Sequence, residues 1–332
     1  VENINLKKIN REFEDKLFYS YDLIGNSDNT QYIKEQIKKI SISESRIFIN
    51  GPTGSGKELI ARKIHKQSKR QKGPFIIING ALLDNQKYEL ELFGEEKSNG
   101  SIFYGALEKA TSGILLIDEI SEIPLETQSK ILRVLIDQKF KRISGIHDVN
   151  VDVRIICSTS KDIKKEIDLG NFREDLYHRL NVFEINIEPL KKRVMDIPYL
   201  VEYFSKKISN NYNLKKLKIN TNNKYILNYD WPGNVRELRN LIERIAILSP
   251  DNEDKISNII KESLKTSDIE IMRSENSLSV PLKEARENFE KEYLTTQLKK
   301  FNGNISKTAS FVGMERSALH RKLKGLGIKE LN

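Results

Sequence analysis

Cysteine, tryptophan and histidine are scarce: the 332 residues include one Cys, Cys157, one Trp and four His. A single thiol excludes an internal disulfide framework, and so few thiols and imidazoles argue against a zinc site. Long apolar runs are also missing. Crossing a bilayer takes roughly 18 consecutive apolar residues, and the densest runs, such as 114–117, are only strand-sized. Residues 1–10 lack the apolar segment and small-residue cleavage site of a secretory signal. These absences point to a reducing cytoplasmic compartment and to no membrane partner. Because the chain opens on Val1, a further domain is expected upstream.

Acidic residues are depleted in one place. The formal net charge is +9, yet between Thr295 and Lys329 eight lysines and arginines face the single acid Glu315. A solvated tail is the bland explanation. The basic residues alternate with apolar ones at helical spacing, which favours a folded anion-binding module. With 38% apolar and 31% charged residues the rest suits a globular protein with a sizeable core.

The pattern divides the chain into five parts. Residues 1–20 read as a mixed-charge helical lead-in and 21–190 as an α/β unit. Residues 191–250 read as a helical subdomain, 251–281 as a polar linker and 282–332 as a small all-α unit. In the α/β unit, strand-like runs at 46–50, 75–79, 114–118, 151–158 and 182–187 alternate with helices such as 58–68 and 125–138. Such alternation predicts a parallel sheet with helices on both faces. Pro198, Pro232 and Pro250 mark helix ends in the helical part.

GPTGSGKE at 51–58 stands between a strand and a helix. Gly-x-x-x-x-Gly-Lys in that setting is a phosphate-binding loop formed by Gly51, Pro52, Thr53, Gly54, Ser55 and Gly56: its glycines let backbone N–H groups turn inward, and Lys57 reaches the outer phosphates. The alternative is an ordinary glycine-rich turn. Glu58 replaces the Ser or Thr hydroxyl that usually holds magnesium there, so other groups must do so. Asp118, ending the apolar run 114–117, is placed to bind Mg²⁺ directly or through water. Glu119 is placed to polarise an attacking water. Taken alone, the Asp-Glu pair could equally cap a helix. Arg173 and Arg179 lie among acids in FREDLYHRLNV, where surface ion pairing is the bland explanation, and WPGNVREL puts Arg236 early in a helix.

Taken together, GPTGSGKE, ELFG at 91–94, ILLIDE, FREDLYHRLNV and WPGNVREL resemble the AAA+ domain of bacterial enhancer-binding activators, the NtrC family of response regulators. Glu58 is usual in that family. The resemblance implies ATP between sheet and lid, with Leu23 and Ile24 near the adenine and Arg236 as the lid sensor. It implies that Arg173 and Arg179 reach a neighbour's site as arginine fingers in a hexameric or heptameric ring. It makes Asn79 the residue that pairs with catalytic Glu119, and puts Ser160 at a sensor position often held by Asn. The tail, NGNISKTASFVGMERSALHRKL, resembles a Fis-type helix-turn-helix, most closely that of the NtrX-like branch.

In the tail, Leu282, Ala285, Phe289, Leu294, Leu298 and Phe301 form a helical apolar stripe. Ala309, Gly313 and Leu319 occupy the packing and turn positions of a helix-turn-helix. Leu319 and Leu323 share one side of the last helix, while Arg316, Ser317, His320, Arg321 and Lys324 share the other. That second side suits the major groove of double-stranded DNA; a three-helix unit that binds no DNA is the alternative.

The sequence departs from the family after ELFG. Sigma-54 activators carry ELFGxxxGAFTGA, whereas this chain reads ELFGEEKSNGSIFYGALEKA, shorter and without the hexapeptide. The expectation is an ATP-binding AAA+ regulator of a two-component system, with ATP hydrolysis as its implied enzymatic activity and Mg²⁺ as cofactor. It would bind DNA as a dimer, work with RNA polymerase and a sigma factor, and answer to a sensor kinase through an upstream receiver. The alternative is an activator that hydrolyses ATP to remodel sigma-54 polymerase. Another kind of motor, a helicase or a protease partner, has no use for a Fis-type tail.

Overall fold

This computed structural model describes residues 22–83, 87–212, 217–248, 252–264, 290–291, 293–295, 297–298, 301 and 304–326. They fall into two units that divide after Leu264.

The first unit is built on a five-stranded parallel sheet of β1 (Ile47–Asn50), β2 (Phe75–Asn79), β5 (Ile114–Asp118), β8 (Arg154–Thr159) and β9 (Phe183–Asn186). The strands lie in the order β2-β5-β8-β1-β9. All five expected strands are present, each shifted by no more than a few residues. Side chains alternate across the sheet, and both faces are apolar. Ile47, Ile49, Ile114, Leu116 and Ile156 pack on one face with Ile33, Ile37 and Ile40 of α1 (Asp28–Ser41) and Ile60 and Ile64 of α2 (Lys57–Gln67). Phe48, Leu115, Ile117, Ile155 and Cys157 pack on the other. There they meet α3 (Tyr88–Phe93), α4 (Ala106–Lys109), α5 (Leu125–Asp137), α6 (Ile163–Asp168) and α7 (Glu174–Leu180). An uninterrupted apolar strand such as ILLID thus records burial on both sides.

Two short antiparallel hairpins interrupt the alternation and were not anticipated. One pairs β3 (Gly94–Glu96) with β4 (Ile102–Tyr104), and the other pairs β6 (Lys139–Lys141) with β7 (Asp148–Asn150). Three-residue strands are too short to show periodicity.

The helical part consists of α8 (Ile197–Asn211), α9 (Lys224–Asn228), α10 (Asn234–Leu248) and α11 (Glu253–Leu264) around buried Trp231, Leu238, Ile242 and Ile245. Pro198 sits in the first turn of α8, where a proline's missing N–H costs nothing. The expected linker at 251–281 is corrected in its first part: α11 buries Ile256, Ile260 and Leu264 in the same cluster. Three apolar residues at i, i+4 and i+8 are a narrow stripe, easily taken for a polar segment.

One carboxylate ties this part to the start of the α/β part. Asp196, wholly buried, accepts the N–H groups of Asn26 and Ser27 at 2.7 Å each. It also accepts the hydroxyls of Ser27 at 2.9 Å and Thr30 at 2.6 Å. Gly25 has a φ of +137°, and a Cβ there would lie 2.3 Å from Asp196 Oδ1, so only glycine permits the approach.

In the second unit, α12 (Ile305–Val312) and α13 (Arg316–Gly325) join at Gly313, whose φ of +72° ends α12 in a left-handed turn. Leu294, Leu298, Ala309, Leu319 and Leu323 form its core. Residues 1–20 and Leu282, Ala285 and Phe289 of the expected stripe lie outside the described residues.

Asp196→Ala should lower stability by about 3–5 kcal/mol, because four donors and the nearby Arg193 lose their buried partner. Thermal unfolding checks this, and an unchanged melting temperature would show the network to be dispensable.

Candidate nucleotide site

The loop between β1 and α2 carries residues 51–56 at the C-terminal edge of the sheet. Gly54 and Gly56 have φ values of +77° and +109°, so the chain turns in the left-handed region before α2 starts at Lys57. Lys57 is buried, and its ammonium donates to the Gly51 carbonyl and pairs with Glu119 Oε1, each at 3.0 Å.

The two acids end β5. Glu119 sits in the left-handed region at φ 52°, ψ 51°, an uncommon and strained place for a residue with a side chain. Ser160 gives both its N–H and its hydroxyl to Glu119 Oε2, each at 2.8 Å. Asp118 accepts from Asn79 Nδ2 at 2.9 Å on one oxygen and from the buried Ser158 hydroxyl on the other. The expected pairing of Asn79 with Glu119 is therefore corrected. Asn79 stands directly beside Asp118 in the β2–β5 register, so its short amide meets that acid and leaves Glu119 to Ser160.

The helical part closes over the loop. Arg236 N–H donates to Gly54 O at 3.3 Å and Asn234 Nδ2 to Thr53 O at 3.0 Å. Arg193, 3% exposed, donates from Nη2 to Ser55 O at 3.1 Å, with Nη1 3.7 Å from Asp196 Oδ2. Burial pulls the Arg193 guanidinium below its ordinary pKa, opposed by the charges of Asp196 and Glu188. The Ser55 hydroxyl and Arg193 Nε are buried without a hydrogen-bond partner.

Between the parts lies a cavity of about 460 Å³. The expected residues Leu23, Ile24, Thr53, Gly54, Ser55, Gly56, Lys57, Glu58, Asp118, Glu119 and Arg236 all line it. Gly51, Pro52 and Asn79 do not, although Gly51 holds Lys57 and Asn79 holds Asp118. Sequence reasoning missed Arg193, Asn234, Arg239 and the α8 residues Tyr203, Phe204 and Lys207. Asn234 was visible inside WPGNVREL, whereas an arginine or tyrosine on a surface-like helix carried no signal.

Glu58 borders the cavity, but its carboxylate pairs with Arg62 at 2.7 Å. No group of three or more His, Cys, Asp or Glu able to hold a metal occurs among the described residues. Asp118 is left as the acid suited to magnesium, and each of its oxygens keeps one acceptor site beyond the bond it already makes. That donor set fits an ion held mainly by phosphate oxygens and water.

Arg173 and Arg179 do not border this cavity. Arg173 forms a two-point pair with Asp175 at 3.0 and 2.7 Å and reaches Ser129 Oγ at 3.2 Å. Arg179 is exposed. In the second unit Arg316, Ser317, His320, Arg321 and Lys324 are all exposed on α13, opposite buried Leu319 and Leu323.

Among the described residues no helix is long and apolar enough to cross a membrane. Three family models match: a sigma-54 interaction domain over 23–186, an AAA+ ATPase lid domain over 191–275 and a bacterial regulatory protein of the Fis family over 285–326. Among curated proteins, the nitrogen assimilation regulatory protein NtrX of Azorhizobium caulinodans is 45% identical, over 99% of this chain and 74% of its own length. A putative NtrX-like response regulator of Rickettsia typhi is 44% identical over 97% of this chain and 70% of its own. Among solved structures, NtrX of Brucella abortus in complex with ATP is 44% identical with a TM-score of 0.71, covering 97% of this chain and 73% of that one. The same protein in complex with ADP gives the same identity and score over 98% and 74%.

Proposed function

The chain belongs to the NtrX/NtrC-type response regulators with a sigma-54 interaction AAA+ domain and a Fis helix-turn-helix, and on that premise we propose that it is a cytoplasmic, ATP-binding transcription regulator. One observation carries the reading. A single cavity gathers the phosphate loop, both acids and the lid arginine Arg236, while Arg173 and Arg179 stand outside it.

ATP binds with its base near Leu23 and Ile24 and its phosphates on the loop, where Lys57 and the N-terminus of α2 meet the negative charge. Asp118 would hold magnesium, directly or through water, and the ion would supply charge neutralisation on the phosphates. Glu119 polarises the attacking water, and Arg236 links the lid to the bound nucleotide. Arg173 and Arg179 act on a neighbouring subunit's nucleotide, so turnover requires a ring. The Arg173–Asp175 pair is exposed, so releasing Arg173 to a neighbour costs little. The second unit reads DNA through Arg316, Ser317, His320, Arg321 and Lys324, as a dimer on a two-fold site. An upstream receiver phosphorylated by a sensor kinase is the natural input for such a protein.

Lys57→Ala should abolish ATP binding, and Glu119→Gln should keep binding while stopping turnover. Turnover per subunit should rise with concentration, since a trans-acting arginine contributes about 10³-fold or more. Arg173→Ala subunits mixed into wild type should depress activity beyond simple dilution. A rate per subunit that is flat from nanomolar to tens of micromolar concentration rules the ring out.

The DNA reading has its own test. Arg316→Ala and Arg321→Ala should each cost roughly 1–3 kcal/mol at the specific site and relax base preference there. Lys324→Ala should weaken all sequences alike and make the salt slope shallower by about one unit. Circular dichroism on each variant separates lost contacts from lost fold. Folded Arg316 and Arg321 variants that discriminate DNA like the parent would leave α13 a solvated surface.

A second reading, remodelling of sigma-54 polymerase, is favoured by the domain match over 23–186 and by the exposed Ile102, Phe103 and Tyr104 on β4. The missing hexapeptide opposes it. In vitro transcription with sigma-54 or the housekeeping sigma factor, with and without ATP, separates the readings. ATP-dependent open-complex formation with sigma-54 alone would establish the second.

A further inference from the structure

Arg46 immediately precedes β1, at the end opposite the phosphate loop, and borders no part of the nucleotide cavity. β9, which follows α7, pairs with β1 in parallel and sets Ile47 beside Phe183. That register brings Arg46 to the end of α7, where its Nη1 donates to the Arg179 carbonyl at 2.7 Å. The last carbonyls of a helix have no partner within it and carry partial negative charge. They attract basic side chains of the helix's own last turn, and Arg179 stands in that turn.

Arg179 does not settle there. It is exposed, and its guanidinium makes no hydrogen bond or ion pair among the described residues. Asp175, four residues back, is the acid within reach on its own helix face, but Arg173 holds that carboxylate at 3.0 and 2.7 Å. Arg46 takes the other resting place, the carbonyl end. Burial, with the Arg179 charge beside it, pulls the Arg46 guanidinium below its ordinary pKa. Two cations thus meet at one helix end, and only one of them is fixed.

We propose that Arg46 is a positioning residue for Arg179: it occupies the carbonyl end of α7 and repels the Arg179 guanidinium from it, so that Arg179 stays extended toward a neighbouring subunit. The proposal rests on the reading of Arg179 as acting on a neighbour's nucleotide. Exposed like charges repel only weakly in water, so the carbonyl denied to Arg179 matters as much as the repulsion. Arg46 itself touches no nucleotide in this scheme.

The test uses the full chain, with binding of a labelled ADP measured beside ATP turnover at ring-forming concentration. Arg46→Gln should leave ADP affinity unchanged, because residue 46 lies outside the cavity. It should lower kcat roughly 10-fold at constant KM, short of the 10³-fold or more that a trans-acting arginine itself carries. Arg46→Lys, which keeps the cation, should stay closer to the parent than to Arg46→Gln. Adding Arg46→Gln to Arg179→Ala should bring no further loss, since the first acts only through the second. Mixing supplies the sharpest readout. Arg46→Gln subunits have intact sites, and Glu119→Gln subunits have undisturbed arginines. A mixture of the two should therefore turn over faster than either variant alone at the same total concentration. Damage to an Arg46→Gln subunit's own site would give no such recovery. Should Arg46→Gln melt early, Arg46→Met must show the same loss and the same recovery.

An Arg46→Gln protein with the parent's kcat overturns the positioning role. So does an Arg46→Lys protein as slow as Arg46→Gln, a further loss on top of Arg179→Ala, or a mixture that recovers nothing. Arg179→Ala at the parent's rate, or a rate per subunit that is flat with concentration, overturns the ring reading, and the role of Arg46 falls with it.

Discussion

Four hydrogen bonds converging on the Asp196 carboxylate hold the nucleotide cavity together. Their donors come from residues 26–30, directly after Leu23 and Ile24. Asp196 itself leads into α8, which supplies the far wall of the cavity. One turn back, Arg193 pairs with the same carboxylate and reaches the carbonyl of Ser55 in the phosphate loop. The segment that begins α1, the helical part and the loop at 51–56 therefore share one buried charge. Buried ion pairs contribute little net stability against apolar replacements of equal volume, and their better-attested use is to fix geometry. Here the geometry fixed is the distance between two halves of a cavity, which an apolar contact able to slide would not define.

The same logic runs through the acids. Glu119 lies in the left-handed region, a conformation costing on the order of 1 kcal/mol or more, and such strain persists only where surroundings over-determine it. Ser160 and Lys57 grip its side chain. Its carbonyl packs against Gly80, where a Cβ would lie 2.5 Å away. The chain thus turns sharply after β5 only because its neighbour after β2 is a glycine. Two adjacent acids end up with separate partners, Asp118 with Asn79 and Ser158, and Glu119 with Ser160 and Lys57. A relaxed helical turn would have set them only 100° apart on one helix surface, with nothing to distinguish their roles.

The fold was largely legible because its signals were periodic. Each of the five sheet strands is a run of alternating-face apolar residues long enough to read, and GPTGSGKE between β1 and α2 has a specific physical purpose. Apart from Pro52, every residue placed in the loop, the acids and the lid sensor either lines the cavity or holds one that does. What was not legible falls into two kinds. The three-residue strands of β3–β4 and β6–β7, and the narrow stripe of Ile256, Ile260 and Leu264, lack the length that periodicity needs. Arg193, Asp196 and Ser158 are single polar residues whose importance comes entirely from burial. An Asp before Ile-Pro reads as a helix cap, and a Ser in a strand reads as filler. The misassigned partner of Asn79 is of the second kind, since only the β2–β5 register shows which of two consecutive acids stands beside it.

A division of labour follows from where the arginines lie. The cavity lining already contains the cations Lys57, Arg193, Lys207, Arg236 and Arg239 alongside its acids. On the proposed reading, binding needs nothing from outside the subunit. Arg173 and Arg179 add nothing to that inventory, yet FREDLYHRLNV spends two arginines on α7 and its N-cap. Arg173 is held by an exposed acid two residues on rather than by a buried one. An exposed two-point pair with Asp175 keeps the guanidinium extended and its direction set, at an energy a phosphate can readily outbid. Arg193 is the opposite case: it is buried, its Nη2 donates to a backbone carbonyl, and its Nη1 lies beside the Asp196 carboxylate inside the same subunit. One arginine is held inside the subunit and the other is held only at its surface, the contrast that the proposed division between binding within a subunit and chemistry between subunits requires.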